Sequence, residues 1–175
     1  MKIVKNDKEI KRDFNIFVIS DTHFCHENII KYCDRPFKNV HEMNNYMIQK
    51  WNSVVGKHDL VIHCGDVVLG PNDVAEKVLK QLNGRKYLIK GNHDNKSDTF
   101  YRKCGFERIS DFPIIIDGKY IFAHAPLEKL GDSDLFLYYG HVHNDMDYGD
   151  TKNSKCVCVE RLDYTPLLVI KKDEE

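Results

Sequence analysis

Short apolar runs alternate along this chain with stretches whose apolar positions recur at helical spacing. Phe14–Ile19, Leu60–Ile62, Tyr87–Ile89, Tyr120–Phe122 and Leu135–Tyr139 are rich in β-branched or aromatic residues, as expected of strands buried on both faces. Residues 41–55 set Met43, Met47, Trp51, Val54 and Val55 at helical spacing, which predicts a helix with a core-facing stripe. Residues 72–82 predict another, capped by Asn72 after Pro71 and stopping near Asn83-Gly84. It would bury Val74, Val78, Leu79 and Leu82 and pair Glu76 with Lys80 outside. Ser97 is positioned to cap a shorter helix ending at Gly105. Lys155–Arg161 and Leu167–Lys171 read as strands joined by a turn, and the final Lys-Lys-Asp-Glu-Glu as a frayed end. The pattern is that of an α/β domain with a strand-rich end.

The polar positions fall where the apolar runs stop. In order they are Asp21-Thr22-His23, Gly65-Asp66, Gly91-Asn92-His93-Asp94, His124 and Gly140-His141-Val142-His143. Imidazole nitrogens, carboxylate oxygens and an amide carbonyl are the donors that a pair of divalent ions asks for. Two such ions about 3.5–4 Å apart both generate a nucleophile at neutral pH and neutralise the attacking and leaving oxygens of a phosphate ester. Strands that each end in a ligand can gather those ligands along one sheet edge, where α/β folds build their sites. Gly65, Gly91 and Gly140 fit tight turns with little room for a side chain.

The ordered string D-x-H, G-D, G-N-H-D, H, G-H-x-H, spanning residues 21–143, resembles the calcineurin-like metallophosphoesterase family. Asp21–Ile30 followed by Arg35-Pro36-Phe37 is similar to a small bacterial or phage subgroup of it. The resemblance implies a four-layer α/β/β/α sandwich of two mixed β-sheets flanked by helices, with a dinuclear metal site at one sheet edge. By matched position it implies that Asp21, His23, Asp66 and His143 hold one ion. Asp66, Asn92, His124 and His141 would hold the other, with the Asp66 carboxylate bridging. The implied reaction is hydrolysis of a phosphate ester by in-line attack of a metal-bridging hydroxide. His93 would stabilise phosphoryl oxygens or protonate the leaving group, and Asp94 would orient its imidazole. Manganese is the first expectation for the metal; Fe, Zn, Co and Ni suit the same donors.

Other residues are read with two meanings each. His26 and Asn28, beside the first block, either contact substrate or serve a loop and helix start. Arg35, in a loop extended by Pro36, is either a bidentate phosphate clamp or a solvated surface residue. His41, His58 and His63 match no ligand position, and His63 is the one placed to support the ligands from behind. Cys25 and Cys64 adjoin predicted ligands, yet the chain has no C-x-x-C, and Cys156-Val157-Cys158 reads as alternation with one face packed and the other exposed. Six cysteines without framework spacing suit a reducing cytosol.

With 175 residues and 42% hydrophobic content, one substantial core and one domain over 1–175 are expected. The charged start Met1–Lys8 precedes an apolar stretch too short for a signal peptide or membrane span, so a soluble cytoplasmic protein is expected. A net charge of -1 argues against tight nonspecific binding to long duplex nucleic acid. The expected partner is a small phosphate ester, with a phosphodiester such as a nucleotide favoured and the His26–Val40 loop setting selectivity. Two alternatives stand beside it. A nuclease acting on DNA or RNA ends would need a basic groove beside the metals, such as Lys31, Arg35 and Lys38 converging. A catalytically silent scaffold of the same fold would typically have lost the catalytic histidine, which here is present as His93.

Overall fold

In a computed structural model, residues 12–127 and 134–173 are described, so the expectations for Met1–Lys8 and for the last two residues lie outside them. Strand β1 (Ile16–Ile19) runs parallel to β2 (Leu60–His63), β2 to β3 (Arg85–Ile89) and β3 to β4 (Phe106–Ser110). Strand β9 (Leu167–Ile170) closes this five-stranded sheet antiparallel to β1. A second sheet has the order β5 (Ile114–Ile116), β6 (Tyr120–Ala123), β7 (Phe136–Tyr139) and β8 (Ser154–Cys156), with β5 antiparallel and the others parallel. Both sheets are mixed and both carry flanking structure, as the resemblance implied.

Alternation in the strands distributes two cores. Ile16, Val18, Leu60 and Ile62 meet Ile114, Phe122 and Val157 between the sheets. Phe17, Ile19, Val61 and Leu88 face the helices instead. These are α1 (Ile29–Tyr32), α2 (Val40–Val54), α3 (Asn72–Leu79) and α4 (Asp98–Lys103), and each contributes residues to that outer core. Helix α2 starts in a capping box: the Asn39 side chain accepts from Glu42 N–H at 2.9 Å, and the Glu42 carboxylate accepts from Lys38 N–H at 3.0 Å. Ser97 caps α4 through Phe100 N–H.

Several expectations are corrected. Val54 and Val74 are each 39% exposed rather than core-facing. Helix α2 ends at Val54, so extended Val55 turns inward in its place, and α3 is capped by Pro71, so its buried stripe begins at Ala75. The expected strand Lys155–Arg161 stops at Cys156 and becomes a 3₁₀ turn over Val159–Leu162. Here the chain crosses from the second sheet to the end of β1, where Ser20 N–H donates to Val157 and Val159 N–H donates to Ser20. Cys156 and Cys158 are therefore both buried, as is Val157 between them, because protein covers both faces.

Candidate metal centre

The loops after β1, β2, β3, β6 and β7 bring all seven predicted ligands together. Five of the seven, Asp21, His23, Asp66, His141 and His143, have positive φ, between 45° and 74°. That conformation costs a non-glycine residue of order 1 kcal/mol and concentrates at functional sites, where the surroundings enforce it. Here backbone cross-ties enforce it. Asp21 N–H donates to Gly65, His23 N–H to Asp66 and His141 N–H to Asp21 Oδ2. A Cβ on Gly140 would collide with Ser20 Oγ and Asp21 Oδ2, and one on Gly91 with Asp66 Oδ1 and His124. Only glycine permits these loops to close on one another.

One half of the site is buried. Asp21 Oδ1 lies 4.0 Å from His23 Nε2 and 3.7 Å from His143 Nε2, and none of these contacts is a hydrogen bond. Among the described residues Asp21 Oδ1 and both His23 nitrogens are buried without a hydrogen-bond partner. Burial, aided by the charges of His143 and Arg35, lowers His23 to about 2, so its imidazole is neutral and offers a lone pair. Burial pushes the Asp21 carboxyl up, against the histidines around it. For His143 burial acts downward, but hydrogen bonding to Cys33 and Glu160 and the Asp21 charge raise it to about 10. A proton thus stands where a cation would.

The other half is open. His124 Nδ1 must donate to the Cys64 carbonyl at 2.7 Å, which leaves Nε2 facing Asn92 Oδ1 at 2.9 Å. His141 Nδ1 lies 3.0 Å from the same amide oxygen and 3.2 Å from His124 Nε2. One proton can serve one of these contacts; a cation among the three satisfies all of them. Between the halves, Asp66 Oδ2 lies 3.5 Å from His23 Nε2 and 3.8 Å from His124 Nε2. Orphaned acceptors in one half, crowded acceptors in the other and an oxygen common to both fit divalent ions with nitrogen and oxygen ligands.

The supporting residues differ from expectation. Asp94 does not touch the His93 imidazole. Its Oδ2 accepts from Asp66 and Gly91 N–H at 2.7 and 2.9 Å, and its Oδ1 accepts from Val67 N–H and Tyr101 O–H at 3.0 and 2.8 Å. It ties the ligand loops after β2 and β3 to each other. His93 sits at the exposed rim, its ring 5.4 Å from that of His23 and its backbone N–H on Asp66 Oδ1. His26 is half-buried with its ring 5.5 Å from that of His23, while Asn28 is exposed and caps α1 without a side-chain bond.

Arg35 is neither a phosphate clamp nor a surface residue: its side chain is fully buried, so the basic groove of Lys31, Arg35 and Lys38 loses a member. It donates to the carbonyls of Thr22 and Asp21 and to Glu160 Oε1, which also accepts from His143 Nδ1 at 3.0 Å. Sequence reading missed Glu160, which the strand assigned to 155–161 concealed. His63 does stand behind the ligands. Its Nε2 bonds Thr22 Oγ1 at 3.0 Å, its Nδ1 accepts from Gly65 N–H at 3.2 Å, and Trp51 stacks on its ring.

Two mixed sheets whose strand ends deliver this donor set to one edge define a phosphoester hydrolase of the metallophosphoesterase type, for which divalent ions are implied. The chain belongs to the calcineurin-like phosphoesterase family, which it matches over residues 14–167. It is 37% identical over 172 residues to the uncharacterized protein MJ1445 of Methanocaldococcus jannaschii, covering 91% of this chain and 92% of that one. The crystal structure of AQ665, a protein of unknown function from Aquifex aeolicus, has a TM-score of 0.71 and 30% identity, covering 89% of this chain and 96% of that one. The nuclease MPE of Pseudomonas putida shares the fold at a TM-score of 0.50 and 18% identity, over 73% of this chain and 61% of that one. None of the described helices is long and apolar enough to cross a membrane.

Proposed function

We propose that this protein hydrolyses a phosphodiester with two divalent ions, manganese first among those its donors suit. Asp21, His23, Asp66 and His143 would hold one ion, and Asp66, Asn92, His124 and His141 the other. The observation that carries this reading is the Asp66 carboxylate. Its Oδ2 serves both halves at 3.5 and 3.8 Å, while Oδ1 is fixed by the His93 backbone N–H at 2.8 Å. When bound, such ions supply charge neutralisation at the phosphate and a water ionised at neutral pH.

The remaining work falls to side chains. His93, on the exposed rim and anchored through its own backbone, donates to a phosphoryl oxygen or protonates the departing alcohol oxygen, a contribution of about 10²–10⁴-fold. His26, with its ring 5.5 Å from that of His23, and Asn28, at the exposed start of α1, would contact substrate. Exposure of Asn92, His93 and His141 leaves room for the second ester arm of a diester, including that of a nucleotide. Six free thiols, two of them with sulfurs 3.4 Å apart, support a reducing, cytoplasmic setting for a single-domain enzyme.

The test compares bis-p-nitrophenyl phosphate with p-nitrophenyl phosphate, using apoprotein refilled with Mn²⁺ and Asp66→Asn as control. Metal-dependent turnover that favours the diester and disappears in the variant is expected. Silence on both esters from protein holding two ions would overturn the reading.

A further inference from the structure

Behind the buried half of the site lies a charged pair that touches neither solvent nor any substrate position. Arg35 and Glu160 are 125 residues apart in sequence, and their side chains are 0% and 3% exposed. A buried ion pair is weak evidence for stability, because desolvation offsets most of its attraction, so its retention calls for another explanation. Its contacts suggest one. Every strong donor direction of Arg35 ends on something that shapes the site. Nη2 donates to the Asp21 carbonyl at 2.7 Å and Nη1 to the Thr22 carbonyl at 2.9 Å, holding the segment in which Asp21 and His23 take positive φ. Nε and Nη2 both donate to Glu160 Oε1, at 2.9 and 2.7 Å. That same oxygen faces His143 Nδ1 at 3.0 Å. A carboxylate oxygen paired to an arginine can only accept, so the hydrogen between it and His143 sits on Nδ1. Nε2 is thereby the nitrogen turned toward Asp21 Oδ1, 3.7 Å away, and the one whose lone pair a cation would take on displacing its proton.

We propose that Arg35 and Glu160 are positioning residues for one ion only: they fix the Nδ1–H tautomer of His143 and the backbone of Asp21, and so set the affinity of the buried half while leaving the open half untouched. Nothing in the pair reaches Asn92, His124 or His141. His124 takes its orientation from the Cys64 carbonyl and the loop of Asn92 from Asp94, and His141 meets the buried half only through its backbone N–H on Asp21 Oδ2. The selectivity follows from this division. A lysine at position 35 would keep the charge but could not span two carbonyls and a carboxylate with one fixed fork.

This inference rests on the ligand assignment proposed above, and the experiment separates the two. Zn²⁺ binding to full-length apoprotein is measured by calorimetry for wild type, Glu160→Gln and Arg35→Lys, and the histidine ¹H–¹⁵N correlations of the Zn²⁺-loaded samples are recorded. Wild type is expected to bind two ions and to show His143 protonated at Nδ1. Each variant should weaken one ion about 10–100-fold, leave the other unchanged, and lose the single-tautomer signature of His143. If one variant fails to fold, the other decides. Wild type binding fewer than two ions would sink the ligand assignment and this inference with it. Two ions held by both variants at wild-type affinity, with the His143 tautomer unchanged, would sink this inference alone and leave the pair a structural contact.

Discussion

Asp21 and His23 are enclosed by protein and only His143 of their group is partly exposed, whereas Asn92 and His141 open to solvent with His124 half-buried between them. In the enclosed half, acceptors are orphaned and kept apart at 3.7–4.0 Å, with Arg35, Glu160 and His63 bracing them from behind. In the open half, acceptors crowd at 2.9–3.2 Å with one carbonyl contact to steady His124. The buried donors are already spaced and braced, while the exposed ones contact one another and would have to part for a cation. Preorganised donors have less order left to lose on binding, so under the proposed assignment the buried group would be the better anchor and the exposed group the place where substrate and solvent exchange.

The strongest challenge to that division is His93, exposed itself but with its ring 5.4 Å from that of buried His23. His93→Ala should lower kcat by at least about 100-fold while both ions remain, as read by steady-state kinetics beside metal analysis of the same sample. Loss of an ion along with activity would mean that rim and ligand set are not separable. A smaller effect is expected at the seam. Gly140→Ala drives a methyl group into Ser20 and Asp21, so urea unfolding should show a loss of about 1–3 kcal/mol. An unchanged midpoint would show that the halves can move apart freely.

The smallest effect concerns the bracing of the enclosed half. Burial lowers His63 from 6.5 to about 3, helped slightly by His124, so the folded protein keeps it neutral while the unfolded chain protonates near 6.5. Unfolding therefore takes up a proton within this window. The His63 contribution is full above about pH 6.5 and is lost as pH falls toward 3, by at most about 1.4 kcal/mol per pH unit. Urea midpoints of chelated protein across this range should fall less steeply for His63→Gln than for wild type. Equal slopes would remove His63 from the acid response.

Much of this was legible along the chain. Buried central strands announce themselves as continuous apolar runs, and β1, β2, β3, β6 and β7 were found that way. Strands β4 and β5 were not, because Phe106–Ser110 carries exposed Glu107 and Arg108 in succession and loses the apolar signal, while Ile114–Ile116 is apolar but only three residues long. The short α1 lacks a full helical period to reveal it. The candidate ligand set was readable because each member sits at the end of a readable strand. The roles of Asp94, Arg35 and Glu160 were not, since each is defined by partners distant in sequence.

Consecutive residues alone carry the candidate donor atoms, the strands that deliver them and the glycines that let the loops meet, since all of these are local properties. Tertiary structure decided which donors lie deep and which lie open, turned Arg35 inward, and gave Glu160 a place behind His143. The reason is physical. Periodicity reports which side of an element faces the core, but a buried charge is tolerated only where a particular partner meets it, and that partner, here 125 residues away, is brought there by the packing of the two sheets.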